Sequence, residues 1–219
     1  MTLLPLWTAF DTSAQSLVAL ASSFGAGKPA LISASSFTLQ DECFLEGLLS
    51  RTWQEWSHFC RECLIESSLG TVDGSGNVVA GLPQAVSEQH VSSAAIQAKH
   101  RRSPLWGGTN PTLRLEPTWG DVDALVTILQ ALKPANGAQL LAAFSSGHGP
   151  AKAIQLIRNA AAHNHAQNLV DVAALGSSYV AYPVTHPTQA LFWVEPKAGD
   201  FLLIHALQEL SITARLAIG

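Results

Sequence analysis

A run of apolar residues at helical spacing, over 38–69, is the feature that most constrains the fold of this chain. Thr38 is followed by Asp41 and Glu42 in a helix-capping pattern, and Gly70 ends the run. This run predicts a long amphipathic helix whose apolar stripe faces the core. The residues of the stripe recur three and four positions apart: Phe44, Leu45, Leu48, Leu49, Trp53, Trp56, Phe59, Cys60, Cys63 and Leu64.

Helix signals recur along most of the rest of the chain. The stretch over 150–175 is rich in alanine, and its sequence leaves open whether the helix continues through His165 or breaks there. Together these signals predict a mainly α fold. The further predicted helices span 11–24, 85–101, 119–132, 136–145, 150–175 and 199–215.

Two segments carry extended or turn signals instead. Within 70–84, Gly74 and Gly76 predict a turn between two short extended runs. Over 178–194, two runs rich in aromatic and β-branched residues flank the sequence THPT, which predicts a β-hairpin insertion. We find no internal repeat and no low-complexity linker, so residues 1–219 are expected to form a single domain.

Charged residues are scarce in this chain. They make up 13 % of it, against 47 % hydrophobic residues, and the net charge is −4. Because few groups are left to solvate a large surface, we expect part of it to be covered by a partner, most simply a second copy. The negative charge argues against a general nucleic-acid binder, although an enzyme can still hold a few phosphates locally.

The sequence contains no pattern for a membrane span, a secretory signal, a cofactor or a metal site. Its apolar stretches are short, and Asp11 interrupts the N-terminal one early, so we expect a cytoplasmic protein. Cys60 and Cys63 form a lone CxxC without the further ligands that structural zinc requires. We interpret them as ordinary buried cysteines, which leaves a redox or metal role as the alternative.

The segment RNAAAH, residues 158–163, is the strongest candidate for chemistry. Asn159 and His163 are four positions apart and share a helix face. Arg158 precedes His163 by five positions, and its long side chain can swing toward the same point. The three intervening alanines leave room for the backbone of a second subunit to approach closely.

Two copies of this segment would bring two arginines and two histidines around one cleft. A neutral His can take the proton of a ribose 2′-OH, and Arg can stabilise charge growing on the phosphate. A second His or a water would protonate the leaving oxygen. This chemistry needs RNA, because the nucleophile is the 2′-OH. The alternative is that Arg158, Asn159 and His163 are the solvated face of an alanine-rich helix.

RNAAAH resembles the motif of the HEPN superfamily, in which Arg and a polar residue precede a His by a few positions, late in a helix. The resemblance implies an up-and-down helical bundle that dimerises, so that Arg158, Asn159 and His163 of both copies form one composite, metal-independent ribonuclease site. Many such proteins are toxins of toxin–antitoxin or antiviral defence systems. The resemblance therefore implies RNA as substrate, a homodimer and an antitoxin protein as partners.

Several other polar residues are candidates for supporting roles. Glu46, Arg51 and Glu55 lie on the polar side of the long helix, where they can form the opposite wall of the cleft or pair with one another. His148 can sit at the mouth of the site or belong to a loop. The candidate contacts to the RNA backbone are Lys99, Arg101, Arg102 and Lys152. The alternative for the basic run over 99–102 is a solvated helix end.

Two functional hypotheses follow from the sequence. The first is a homodimeric endoribonuclease, based on RNAAAH. The second is a non-enzymatic helical module that binds a protein or a nucleotide, based on the low charge fraction and the lack of a broad basic surface.

Overall fold

The computed structural model describes residues 2–28, 37–106, 115–163 and 165–219, which are mainly helical, as predicted. Two strands, β1 (Thr71–Val72) and β2 (Val78–Val79), pair antiparallel, and residues Gly176–Ser178 and Pro187–Phe192 form 3₁₀ helices. Among all the described residues, none of the helices combines the length and the apolar character that a membrane span requires. The helices are α1 (Leu4–Gly27), α2 (Leu39–Leu69), α3 (Glu88–Ala98), α4 (Val122–Leu132), α5 (Gly137–Ser146), α6 (His148–Ala162), α7 (Ala166–Leu175) and α8 (Leu202–Ile218).

The chain folds as two compact units. The first unit comprises residues 1–11, 56–148 and 211–219, and the second comprises 12–55 and 149–210. By their bounds, α1, α2 and α8 each supply residues to both units. The RNAAAH segment belongs to the second unit.

Helix α2 confirms the prediction from its apolar stripe. Thr38 and Asp41 cap its start reciprocally: Thr38 N donates to Asp41 Oδ2 at 2.9 Å, and Asp41 N donates to Thr38 Oγ1 at 3.3 Å. The side chains of the stripe are buried except that of Phe44, which is 40 % exposed and stacks on Phe24. The stripe therefore supplies the core as its spacing predicted.

The core of the first unit is built around Trp56. This side chain is fully buried, and its indole N–H donates to the carbonyl of Gly120 at 3.1 Å. Its ring lies 5.8 to 6.0 Å, centroid to centroid, from the rings of Phe10, Phe59 and Phe144. These separations are in the range at which aromatic pairs attract beyond simple burial.

A partly buried ion pair ties the segment before α4 to α2. Arg61 Nε and Nη2 donate to the two carboxylate oxygens of Glu116 at 2.8 and 2.9 Å. Ser92 Oγ and Trp119 Nε1 also donate to Glu116. Burial alone would raise the pKa of Glu116, but the hydrogen bonds from Arg61, Ser92 and Trp119 outweigh it and lower that pKa.

We predict that Glu116→Gln lowers the free energy of unfolding by about 3 kcal/mol at neutral pH, because it leaves Arg61 without its bidentate partner. Since the folded-state pKa of Glu116 is lowered, the carboxylate stabilises the fold above its unfolded pKa. This contribution is lost as the pH falls through the folded pKa. The difference from wild type, measured by urea unfolding, should therefore shrink toward acid pH. Glu88→Gln is the control, because Glu88 contacts Arg61 from an exposed position.

The turn predicted over 70–84 is confirmed. Strands β1 and β2 flank it, with Thr71 opposite Val79. Asp73 Oδ1 accepts from the backbone N–H groups of Ser75 and Asn77 at 2.9 and 2.8 Å, which closes the turn.

The β-hairpin predicted over 178–194 is wrong. The backbones of the two arms pair at one isolated antiparallel bridge, between Val180 and Val194, and Pro187–Phe192 forms a buried 3₁₀ helix. Pro187 at the first helical position fixes a helical φ. The side chains of His186 and Gln189 form a capping box around it. This local capping overrides the β-propensity of the aromatic residues.

The sequence also misplaced the start of the first helix. Helix α1 begins at Leu4, with Pro5 in its first turn, where a missing N–H costs nothing. Asp11, where the sequence predicts this helix to begin, lies inside α1 and accepts a hydrogen bond from Ser211 Oγ. The question left open over 150–175 is also answered: the helix ends at Ala162, and α7 begins at Ala166.

Lys133 gives a test of local strain. It ends α4 with φ 55° and ψ 57°, a left-handed conformation that costs an L-residue roughly 1 kcal/mol, and its side chain is exposed. We predict that Lys133→Gly raises the free energy of unfolding by about 1 kcal/mol. Lys133→Ala is the control and should leave it unchanged, because it removes the side chain but keeps the strain. Equal unfolding midpoints for the two variants would contradict the prediction.

Candidate functional site

The RNAAAH segment forms the last turn of α6 and the residue after it. Arg158 and Asn159 are half-buried, and Arg158 Nη1 donates to Asn159 Oδ1 at 3.2 Å. His163 follows the helix end and still donates its backbone N–H to the carbonyl of Asn159 at 2.9 Å. The His163 side chain is exposed. Arg158 and Asn159 therefore meet directly, while His163 is presented to solvent beside them.

The chain bends sharply after this segment. The carbonyl of His163 accepts from the backbone N–H of His165 at 2.7 Å and from Asn168 Nδ2 at 2.9 Å. These bonds satisfy the carbonyl where the helical pattern stops and hold the first turn of α7 against it. His163 is thus fixed at a helix end by the residues that follow it.

A small pocket opens beside Arg158. Its volume is about 180 Å³. The short side chains of Ala161 and Ala162 leave this space open, and Glu46 stands among its lining residues, as the cleft-wall interpretation expected. The pocket is lined by Glu46, Leu49, Ser50, Arg158, Ala161 and Ala162.

Arg158 differs from other charged candidate residues of this site in how it is paired. Within the described ranges, the Arg158 guanidinium has no carboxylate at ion-pair distance, and its bond to Asn159 is to a neutral amide. Arg51 and Glu55, by contrast, pair with each other at 2.6 Å along α2, as the alternative interpretation held. Arg158 is therefore available to an anion from solution.

Glu46 is contacted by a histidine that the sequence analysis missed. His186 Nε2 lies 3.5 Å from Glu46 Oε1. On the other side of the ring, His186 Nδ1 lies 2.8 Å from Thr188 Oγ1 and accepts from the backbone N–H of Thr188 at 3.4 Å. The sequence signals only the capping role of His186, through Pro187 after it and Gln189 three positions later. Its contact with Glu46 joins residues that are distant in the chain and has no local signal.

These contacts define the tautomer of His186. A backbone N–H can only donate, so Nδ1 must accept, and the ring proton of neutral His186 resides on Nε2. Nε2–H then faces Glu46. Thr188 is fully buried and Gln189 is 1 % exposed, so the ring is supported by a rigid element.

The other predicted site residues lie elsewhere or are otherwise engaged. Lys99, in the first unit, donates hydrogen bonds from its ammonium group to the carbonyls of Leu115 and Glu116. Arg101 and Arg102, also in the first unit, are exposed and line a pocket of about 470 Å³. Lys152 is half-buried in α6, six residues before Arg158.

His148 does not belong to the Arg158 end of α6. It is the first residue of that helix, and its Nε2 lies 3.2 Å from Asp123 Oδ1. The RNAAAH segment closes the same helix at its other end. The interpretation of His148 as part of the site mouth is therefore wrong.

The CxxC pair lies inside the core. Cys60 and Cys63 are both fully buried, and burial raises the pKa of Cys63 to about 12 and that of Cys60 well above its ordinary value. At neutral pH both remain thiols, which agrees with ordinary buried cysteines. Across the described parts of the chain, no group of three His, Cys, Asp or Glu side chains is arranged to hold a metal ion.

This chain matches no protein-family model, no curated protein and no solved structure.

The tautomer of His186 is directly testable. We predict that ¹⁵N-correlated NMR at neutral pH finds the neutral His186 ring with its proton on Nε2, because Nδ1 accepts from Thr188. His165, which is exposed, is the reference and should show a mixture of tautomers. A proton found on Nδ1 of His186 would contradict the arrangement.

Proposed function

We propose that this protein is a metal-independent endoribonuclease with a composite site, formed by Arg158, Asn159 and His163 of two copies. The observation that carries the proposal is that one helix end presents an arginine without an ion-pair partner among the described residues, together with an exposed histidine. Arg158 lines a pocket, and His163 directly follows the lining residue Ala162.

The chemistry follows from what these groups can do. Neutral His163 takes the proton of a ribose 2′-OH, and the 2′-oxygen attacks the adjacent phosphorus. The bond to the 5′-oxygen breaks, and the products are a 2′,3′-cyclic phosphate and a free 5′-hydroxyl. His163 of the partner subunit, in its protonated form, supplies the proton to the leaving oxygen. Arg158 donates to the phosphate oxygens on which charge grows.

A second copy completes this site. A single helix end offers one His163, whereas the reaction uses one histidine as base and another as acid. Ala161 and Ala162, next to the exposed His163, leave room for close approach of a second backbone. The resemblance to HEPN proteins adds the biological setting, in which the chain acts in the cytoplasm as a toxin or defence effector restrained by an antitoxin protein.

We expect Arg158→Ala and His163→Ala each to abolish cleavage of RNA by the purified protein while leaving its thermal unfolding unchanged. Wild-type products should end in 2′,3′-cyclic phosphate, and cleavage should persist in EDTA, because the histidines replace a metal-bound base. End-group analysis of cleaved structured and unstructured RNA measures both.

Two matched variants serve as controls. His165→Ala removes an exposed histidine two residues beyond His163, and Arg51→Ala removes an exposed arginine paired within α2. Both should cleave at the wild-type rate. Undiminished cleavage by Arg158→Ala and His163→Ala would refute the proposal.

The second candidate function is a non-enzymatic binding module, and a larger pocket in the second unit favours it. This pocket has a volume of about 630 Å³, within the usual range for small-molecule sites. Phe192, Phe201 and Tyr182 are among its lining residues, and burial raises the pKa of Tyr182 to about 12. A folded wild-type protein that is monomeric and cleaves no RNA would favour this function.

A further inference from the structure

We propose that Glu46, positioned by His186, recognises the 2′-OH of the ribose that follows the phosphate held by Arg158, on the side of the leaving 5′-oxygen. This hydroxyl is distinct from the attacking 2′-OH that His163 deprotonates, and its recognition makes the pocket select ribonucleotides over deoxyribonucleotides. The inference deepens the proposed function, because it takes the Arg158 pocket as the place where the sugar–phosphate backbone binds. It assigns Glu46 a role in specificity and His186 a role in positioning.

The size of the pocket limits what it can hold. At about 180 Å³ it lies below the roughly 300–1,000 Å³ of pockets that enclose drug-sized ligands. A phosphate and part of a sugar match this volume better than a whole nucleotide with its base. Arg158 supplies the donors for the phosphate, and Ser50 adds a hydroxyl to the lining.

The exposure and the hydrogen-bonding capacity of the Glu46 carboxylate determine which chemical group it can recognise. Its side chain is 43 % exposed, so a ligand can reach the carboxylate. His186 Nε2–H faces Oε1 at 3.5 Å, which leaves Oε2 free of that contact. An ionised carboxylate only accepts hydrogen bonds, so its ligand must present a donor. Beside a phosphate in a nucleic-acid backbone, the group that can donate is the ribose 2′-OH.

The same carboxylate disfavours DNA. A negative charge beside a phosphate repels any phosphodiester, and only a chain that offers a hydroxyl to Glu46 compensates for that repulsion. Deoxyribose offers none. Selectivity for RNA then arises from two effects together: the repulsion between Glu46 and the phosphate, and the hydrogen bond that the 2′-OH donates to Glu46.

His186 holds the carboxylate in this orientation. Thr188 fixes the ring of His186 through both its hydroxyl and its backbone N–H, and Thr188 is itself fully buried. Gln189 Oε1 accepts from the backbone N–H of His186 at 3.3 Å, which fixes the main chain at this residue. A positioned carboxylate discriminates better than a mobile one because less side-chain entropy is lost on binding.

The test measures binding in the full-length His163→Ala background, in which the proposed base is absent. Fluorescence anisotropy gives the affinities for a single-stranded RNA and for a DNA of the same sequence. We expect RNA to bind about tenfold more tightly than DNA. Glu46→Ala should bring this ratio close to one. Glu46→Gln, which keeps the shape of the side chain, should lower it by improving DNA binding.

Matched variants separate this role from a structural one. Glu42→Ala removes a carboxylate one turn earlier on α2, outside the pocket lining, and should leave the ratio unchanged. Thr188→Val, which removes the hydroxyl that fixes His186, should lower the ratio about threefold, as expected for a lost neutral hydrogen bond. Thr188→Ser should restore it.

The outcomes distinguish this inference from the ribonuclease proposal. If wild type cleaves no RNA but the binding ratio falls in Glu46→Ala, the ribonuclease proposal fails and Glu46 still reads the ribose. If RNA is cleaved but the ratio is the same with and without Glu46, the inference is overturned. Equal binding of RNA and DNA, or no binding of either, in the His163→Ala background also overturns it.

Discussion

The burial of the α2 stripe is the constraint on which the rest of the structure depends. A fully buried large apolar side chain stabilises a fold by roughly 1.5–3 kcal/mol, so a stripe this long cannot remain in water. Leu45 and Leu49 are buried within the second unit, and Glu46 lies next to Leu45 on the helix. The packing of the leucines thereby fixes the side of α2 from which Glu46 meets the Arg158 pocket.

Two arginines of this chain show how the partners of a residue distinguish a structural role from a chemical one. Arg61 is surrounded by Glu62, Glu88 and Glu116, so its donors are already used within the protein. Among the residues that the structure describes, the partner of Arg158 is the neutral amide of Asn159. The first arrangement stabilises the fold at neutral pH, whereas the second leaves a cation that a phosphate can reach. The same residue type thus serves two purposes, and its partners distinguish them.

Periodicity and capping were sufficient to predict most of the helices, the turn near Asp73 and the full length of α2. The segment 178–194 was mispredicted as a β-hairpin because Pro187 and Gln189 impose a local 3₁₀ conformation that outweighs the β-propensity around Phe192. In the site, Arg158 and the wall formed by Glu46 were within reach of the sequence. His186 was not, because its contact with Glu46 joins residues distant in the chain, which no local pattern reports.

The bend after His163 has a consequence for how this segment can vary. The carbonyl of His163 is bound by His165 and Asn168, so the end of α6 is anchored from the C-terminal side. One residue added between Arg158 and the bend would rotate the two ends against each other by about 100° and move them about 1.5 Å apart along the axis. The alanine run therefore works as a spacer of fixed length. Other small residues can replace the alanines, but a residue cannot be added to or removed from the run without misplacing its two ends.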